Sequence, residues 1–473
     1  MSSWKGKSVW SIADNFAQQA LSFVIFAMLA RLLTPHEFGL LAIAHLIVQF
    51  VRMTVLDALA MPVVRGGDGG ESGNGLFDWL FSLCAVVSLA LAGVMALLSP
   101  LLAHFFGTPG LLPVLLGMSL VIVLYGLVRS HEARLLREGN FRLLAIRSII
   151  SVCAGGAVAL LMAFRGAGAM ALVAQQLTTG IVALLIALAA EWRVWRPRWL
   201  WSMDLIRTHA NEMGKVGTAA LLNYAKNNID VVIVSVLLGS YATGLYNLAK
   251  RVLSAAYLVI GASLGRVGVT KFVQEQSDPA ALLRSYANML GITFLLLVPV
   301  YSLATALAEP MIAVVFGEQW RPSAPLFGWL SVAYLGQTAF ELGQNLSFAT
   351  GSSARVPKLA FKQLLMSTTC ALLLGHWYGI TGVVSGFAIG SLVGMVEMQL
   401  AISRQLGMSL RQFVTTLLPT FVGAVLSFVM VRMLPMAGVQ VKGWFSLFAM
   451  GAAGVLVYAA IALTLRWFVN RKA

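Results

Sequence analysis

Leu32-Leu33-Thr34-Pro35-His36-Glu37-Phe38-Gly39-Leu40-Leu41-Ala42-Ile43-Ala44 decides how the rest of the chain is read. The four residues from Thr34 to Glu37 separate two long apolar runs, so those runs form a tight antiparallel hairpin. Leu32-Leu33 and Phe38-Gly39-Leu40-Leu41-Ala42-Ile43-Ala44 then return as Leu237-Leu238 and Thr243-Gly244-Leu245-Tyr246-Asn247-Leu248-Ala249, each matched position 205 residues later. The chain therefore reads as two copies of one helical unit. Working outward from the two hairpins, apolar windows place helices at 8–31, 38–62, 77–98, 110–130, 145–164, 168–190, 213–238, 242–268, 286–309, 324–349, 355–376, 380–402, 413–435 and 443–467. About 20 apolar residues cross a hydrocarbon core of ~30 Å. The expected fold is an all-α polytopic membrane protein with about 14 transmembrane helices. It has two pseudo-symmetric six-helix lobes around a central cavity, plus two C-terminal helices. The divisions are an N-lobe over 1–190, a cytoplasmic linker over 191–212, a C-lobe over 213–402 and the extra pair over 403–473. Six helices is an even number, so the copies share one topology and an axis along the membrane normal.

The composition agrees. Of 473 residues, 59% are apolar and 11% charged, against roughly 25% charged in a soluble globular protein. Mean hydropathy is +0.84. The net charge of +15 would suggest nucleic acid in a soluble chain, but its placement excludes that partner. Sorted over the fourteen spans, 23 of the 33 Lys and Arg residues, the cluster from Arg129 to Arg147 among them, fall on one side, five on the other and five within spans. A miscounted helix would scramble this alternation, so the expectation is fourteen spans with both termini cytoplasmic. The first apolar run has no small-residue cleavage site, so no cleaved signal peptide is expected. Cys84, Cys153 and Cys370 have no paired spacing, and the six histidines are scattered. Neither a disulfide framework, a metal site, a cofactor nor a catalytic cluster is expected.

Three segments have readings of their own. The connection from Glu191 to Thr208 interleaves Trp192, Trp195, Trp199 and Trp201 with Arg193, Arg196 and Arg198. It reads as an interfacial linker with aromatics anchored among the headgroups and basic groups facing anionic membrane lipid. Gly382, Gly386, Gly390 and Gly394 form a stripe for close helix packing. Gly66–Gly75 lacks the Gly-Lys-Ser/Thr ending of a phosphate cradle and reads as a flexible linker.

Charges inside spans are costly and mark cavities or partners. Five are basic (Arg52, Lys215, Lys226, Lys250 and Arg251) and five acidic (Asp14, Asp57, Asp230, Glu341 and Glu397). Positions three, four and seven apart share a helix face. On that rule helix one presents Ser11, Asn15, Gln18 and Ser22, with Asp14 flanking, and helix two presents His45, Gln49 and Arg52. Helix seven presents Asn223, Lys226, Asn227 and Asp230, and helix eight Tyr246, Lys250 and Tyr257. Helix ten presents Tyr334, Gln337, Glu341 and Asn345. Arg52, Lys226 and Lys250 should each lie at least ~10 Å from the nearer interface, at 1.5 Å per residue. Lys226 and Asp230 could instead neutralise each other at i, i+4. Lys215 reads as snorkelling to water, and Glu397 as reaching it. Fixed basic groups suit a phosphate or pyrophosphate stripped of water, and the Asn, Gln and Tyr groups suit sugar hydroxyls.

At these residues the chain resembles the Wzx-type polysaccharide exporters of the multidrug/oligosaccharidyl-lipid/polysaccharide flippase superfamily, in particular the colanic-acid exporter branch. The resemblance rests on Ala30 to Leu40, on Asn227-Asn228-Ile229-Asp230, and on Gly244-Leu245-Tyr246-Asn247-Leu248-Ala249-Lys250-Arg251. Val315-Phe316-Gly317-Glu318-Gln319-Trp320 before Ala324-Pro325-Leu326 adds to it. It implies a flippase moving an undecaprenyl-pyrophosphate-linked oligosaccharide from the cytoplasmic to the periplasmic leaflet by alternating access, often with ion coupling, for exopolysaccharide or O-antigen synthesis. Its functional neighbours would be a polysaccharide polymerase and glycosyltransferases. Arg52, Lys226, Lys250 and Arg251 carry over as cavity charges, with Asn15, Gln18, Gln49, Asn223, Asn227, Tyr246 and Tyr257 beside them. Asp14, Asp57, Asp230 and Glu341 are the expected coupling positions. Alternatives are an exporter of a lipid II-like precursor or a drug, though a basic cavity disfavours cationic drugs. A membrane glycosyltransferase or ligase would need a large outer loop, and the longest here is about fifteen residues.

Overall fold

A computed structural model describes residues 18–65, 75–435 and 443–472. Among these, fourteen helices follow the sequence expectation: α1 (Gln18–Leu32), α2 (Pro35–Arg65), α3 (Gly75–Phe105), α4 (Leu111–Glu138), α5 (Phe141–Phe164), α6 (Ala169–Glu191), α7 (203–238) and α8 (240–274). After them come α9 (Pro279–Ala306), α10 (Leu326–Ala349), α11 (356–378), α12 (380–406), α13 (Leu410–Met433) and α14 (Trp444–Lys472). A short helix, Ala308–Val315, and a 3-10 turn, Glu318–Ser323, join α9 to α10. The protein is an all-α, multi-pass membrane protein. Large apolar side chains such as Leu97, Phe164, Trp377 and Phe445 stand exposed on these helices, as lipid-facing residues do.

Local chemistry explains the boundaries. α2 starts with a capping box: Thr34 Oγ1 accepts from the Glu37 N–H at 3.3 Å, while the Thr34 N–H donates to Glu37 Oε2 at 2.7 Å. Pro35 takes the first helical position, where its missing N–H costs nothing. α13 repeats the device with Ser409 and Gln412. The breaks between α7 and α8 and between α11 and α12 each rest on one glycine in the left-handed region, Gly239 (φ 74°) and Gly379 (φ 59°), which a side chain would oppose.

The chain forms two compact units, Met1–Gly244 and Leu245–Ala473, so α7 and the first five residues of α8 belong to the first. Within it, the start of α8 crosses the start of α2 with backbone against backbone. A Cβ on Gly39 would lie 1.7 Å from the Ser240 carbonyl oxygen, and a Cβ on Gly244 1.8 Å from that of Pro35. Gly39 and Gly244, like Pro35 and Ser240, are 205 residues apart, so the contact is reciprocal and follows the repeat. Ser240 Oγ and His36 Nδ1, 2.7 Å apart, close it with a hydrogen bond.

Each unit has its own apolar core. The first packs Val48, Val51, Met118, Val121 and Ile122, with a second cluster around Trp79, Leu80 and Trp195. The second unit is centred on Phe272, Tyr286, Phe294, Phe340 and Met398. In that unit α12 lies on α11 through its glycine stripe. Added Cβ atoms at Gly382, Gly386 and Gly390 would meet the Leu374 carbonyl, the Ala371 nitrogen and the Ser367 hydroxyl at 2.0–2.4 Å.

Candidate functional site

The two units carry one arrangement at matching places. α2 widens to a π-turn over Arg52–Leu56, and α8 does so over Tyr257–Gly261, again 205 residues on. In each, the N–H that follows the turn, on Asp57 or on Ala262, donates to the carbonyl of the turn's first residue. Such turns are rare and recur at functional positions. Their first residues, Arg52 and Tyr257, each face an aromatic ring on a neighbouring helix. The Arg52 guanidinium lies 4.8 Å from the centroid of Tyr125, while Tyr257 stacks on Tyr334 with centroids 6.1 Å apart. A carboxylate follows each ring by seven residues: Glu132 after Tyr125 and Glu341 after Tyr334.

The chemistry at the two carboxylates differs. In the first unit Glu132 is held by guanidinium groups, with Arg129 at 2.9 Å and Arg147 at 2.6 Å, and Arg129 also reaches Asp57 at 3.2 Å. Arg147 is buried, so the network neutralises cations that have left water. In the second unit Glu341 takes neutral donors. The Tyr257 hydroxyl donates to Oε2, and Gln337 Nε2 donates to Oε1 at 2.9 Å. Tyr301 also stacks on Tyr334, 6.1 Å between centroids. A cavity of about 270 Å³ opens beside this group, lined by Tyr257, Thr338, Glu341, Asn345 and Arg266 among others. It can admit several water-sized groups to a carboxylate whose two hydrogen-bond donors, Tyr257 and Gln337, are neutral.

The remaining expected residues fall as follows. In the first unit α7 is held on α2 by the Tyr224 hydroxyl, which donates to the Leu46 carbonyl at 2.6 Å, and by edge contact of Tyr224 with Phe50 at 5.9 Å. That brings the His45, Gln49 and Arg52 stripe beside the helix carrying Asn223, Lys226, Asn227 and Asp230. Gln49 bonds His45 at 3.0 Å, and Asn227 donates to Asn223 at 3.2 Å. Lys226 and Asp230 are half-buried. In the second unit the Lys250 ammonium lies 5.9 Å from the Tyr246 centroid, and the Tyr334 hydroxyl reaches the Lys250 carbonyl at 3.5 Å. Tyr246 is buried and Arg251 exposed. Gln18 is half-buried at the start of α1, whereas Asp14 and Asn15 lie outside the described residues.

Two readings of the charges change. Asp57 is drawn into the ion-pair network through Arg129. The basic run from Arg129 to Arg147 is more than a loop that orients the chain, because Arg134 and Arg147 are buried within helices and paired with Glu138 and Glu132. His131 Nδ1, fully buried, meets Glu191 Oε2 in the same region. Glu397 is paired with Lys362. The rings of Tyr125 and Tyr301 were missed. The signal that could have found Tyr125 and Glu132 is a second constant offset, 209 residues, to Tyr334 and Glu341.

Comparison with known proteins completes the site. Residues 28–325 match the family described as polysaccharide biosynthesis protein, a span that includes both π-turns. The chain belongs to this family. A relative from Rhizobium meliloti (strain 1021), the succinoglycan biosynthesis transport protein ExoT, is 32% identical over 68% of this chain, and the match spans 65% of that protein's length. The lipopolysaccharide biosynthesis protein WzxC of Escherichia coli (strain K12) is 23% identical over 86% of this chain and 82% of its own. Among solved structures, an inward closed conformation of the lipid II flippase MurJ superimposes with a TM-score of 0.74 at 13% identity, covering 98% of this chain and 99% of that one. An inward-facing multidrug resistance transporter of the MATE family, in the MOP superfamily, gives 0.61 at 16% identity over 84% and 99%. These two structures establish the fold.

Proposed function

We propose that this polysaccharide biosynthesis family member is a flippase for a lipid-linked oligosaccharide. It moves an undecaprenyl-pyrophosphate-linked repeat unit from the cytoplasmic to the periplasmic leaflet of a bacterial inner membrane, by alternating access. The observation that carries this is the family match over residues 28–325 together with 32% identity to a succinoglycan biosynthesis transport protein. The basic residues add chemical sense. Arg52 and Lys226 in the first unit, and Lys250 and Arg251 in the second, offer charges to a pyrophosphate that has lost its water. Asn15, Gln18, Gln49, Asn223, Asn227, Tyr246 and Tyr257 offer hydrogen bonds to sugar hydroxyls. Glu341, with neutral partners and an adjacent cavity, is the strongest coupling position, ahead of Asp230, Asp14 and the ion-paired Asp57. In this reading both termini are cytoplasmic, helices 1–6 and 7–12 act as N- and C-lobes joined by a linker over 191–212, and a polymerase consumes the flipped product. The protein itself transports rather than catalyses.

Export in cells tests the reading. Lys226→Ala and Lys250→Ala should each abolish surface polysaccharide while the protein still inserts at the wild-type level. Normal export by both variants would overturn the role of the basic groups.

A further inference from the structure

We infer that the segment joining α6 to α7 is a binding site for the phosphate of an anionic phospholipid in the surrounding bilayer. The inference rests on membrane embedding alone and is independent of what the protein transports. Residues 192–202 form no α-helix, yet the segment is no loose loop. The Trp195 indole donates to Asp78 Oδ1 at 2.8 Å, and the Arg198 N–H donates to the same oxygen at 2.9 Å. The Leu200 N–H donates to Ser82 Oγ at 2.9 Å, and the Trp79 indole donates to the Ser202 carbonyl at 3.2 Å. Trp195 is buried against Phe77 and His131, with centroids 6.0 and 4.9 Å away. The segment is thereby clamped along the first turns of α3, level with the ends of two membrane helices.

The clamp decides what remains outside. Trp192, Val194, Trp199, Leu200 and Trp201 are exposed, Val194 and Trp199 by about two thirds (66% and 65%). Aromatic and aliphatic groups left uncovered at a helix end are the pattern of the headgroup–acyl boundary. Between them, Arg193, Arg196 and Arg198 line a cleft of about 390 Å³ with Trp192, Trp195 and Asp78. The Arg196 guanidinium is fixed 4.7 Å from the Trp192 centroid, and its Nε donates to the Trp192 carbonyl at 3.1 Å. Three guanidinium groups against one buried carboxylate leave the cleft positive, which fits a singly charged phosphodiester bound through planar forks. A free phosphate would leave the exposed tryptophans in water, whereas a phospholipid covers them with its glycerol and acyl region. The charge and the apolar rim together specify a lipid.

The test uses the full-length protein in detergent micelles, titrated with phosphatidylglycerol or phosphatidylcholine and read by native mass spectrometry at low ionic strength. Wild type should retain phosphatidylglycerol in preference to phosphatidylcholine, and equimolar inorganic phosphate should not displace it. Each arginine near a membrane surface contributes about fivefold in affinity. Arg193→Gln alone should therefore weaken phosphatidylglycerol about fivefold, and Arg193→Gln/Arg196→Gln/Arg198→Gln roughly a hundredfold. The matching triple Lys variant should retain most of the binding. Both triple variants should remain monodisperse, because Asp78 and the indole and backbone donors are untouched. Should the triple Gln variant fail to fold, the single variant decides. Equal retention of both lipids by wild type, unchanged retention by Arg193→Gln, or displacement by phosphate would each overturn the proposal.

Discussion

Gly39→Ala adds one methyl group where α2 crosses the start of α8. The new Cβ would stand 1.7 Å from the Ser240 carbonyl oxygen. An ordinary carbon–oxygen contact is about 3.3 Å, so the crossing must open by roughly 1.5 Å. The obstacle is backbone, which no rotamer change relieves. Overpacking of this kind costs about 1–3 kcal/mol. Opening also breaks the bond between Ser240 and His36, 2.7 Å long and worth about 1 kcal/mol. Against this, Ala is better than Gly in a helix by about 1 kcal/mol. The net expectation is a loss of roughly 1–3 kcal/mol. Gly93→Ala is the matched control: Gly93 lies within α3, and a Cβ there meets nothing within 4 Å. That substitution keeps the helix gain without the clash. In thermal unfolding of purified protein, Gly39→Ala should melt several degrees below wild type, at roughly 2–4 °C per kcal/mol for units of this size. Gly93→Ala should melt at or above wild type. Gly39→Ala melting level with Gly93→Ala would refute the crossing, and Gly244→Ala should repeat the Gly39 result from the other side of the repeat.

Other outcomes follow from the two carboxylates and the clamped linker. Glu132→Gln takes its anionic partner from buried Arg147 and leaves Arg129 only its pair with Asp57, and should destabilise by about 3–5 kcal/mol, seen as low yield and a depressed melting temperature. Glu341→Gln keeps hydrogen-bonding capacity toward Tyr257 and Gln337, so its melting temperature should stay near wild type while any proton or sodium dependence of transport is lost; unchanged dependence would remove Glu341 as the coupling group. Asp78→Ala strands the Trp195 indole and the Arg198 N–H, a loss of about 1–3 kcal/mol for groups left unsatisfied, and should expose residues 192–202 to limited proteolysis.

Much of the architecture was legible because the bilayer imposes one length on every span. The runs broken at Gly239 and Gly379 were divided correctly, since polar or glycine residues interrupt hydropathy where the backbone turns. Ends were less legible. α4 continues to Glu138, beyond its apolar window, because a helix carrying charges such as Arg134 and Glu138 on its last turns stops looking like membrane before it stops being helix. For the site, stripes such as Tyr334, Gln337 and Glu341 follow from helical spacing alone. Pairings between helices do not: nothing local to Asp57 points to Arg129, and nothing local to Tyr257 points to Glu341. In sequence the run from Arg129 to Arg147 shows only as topological charge, because the positive-inside pattern counts charges and is blind to burial. Both π-turns were invisible for a similar reason. One extra residue in a helical turn leaves composition unchanged and shows only as a small slip of register, which the 205-residue repeat carries identically in both copies.

The most direct measurement is flipping by the purified protein in proteoliposomes. A fluorescent polyprenyl-pyrophosphate oligosaccharide is placed in both leaflets, and the outward-accessible fraction is followed with an impermeant quencher. Wild type should carry label between leaflets well above the rate in protein-free vesicles, and Arg52→Gln/Lys226→Gln should slow this at least tenfold with a melting temperature close to wild type. Wild-type vesicles no faster than empty ones would contradict the account. So would a double variant as fast as wild type.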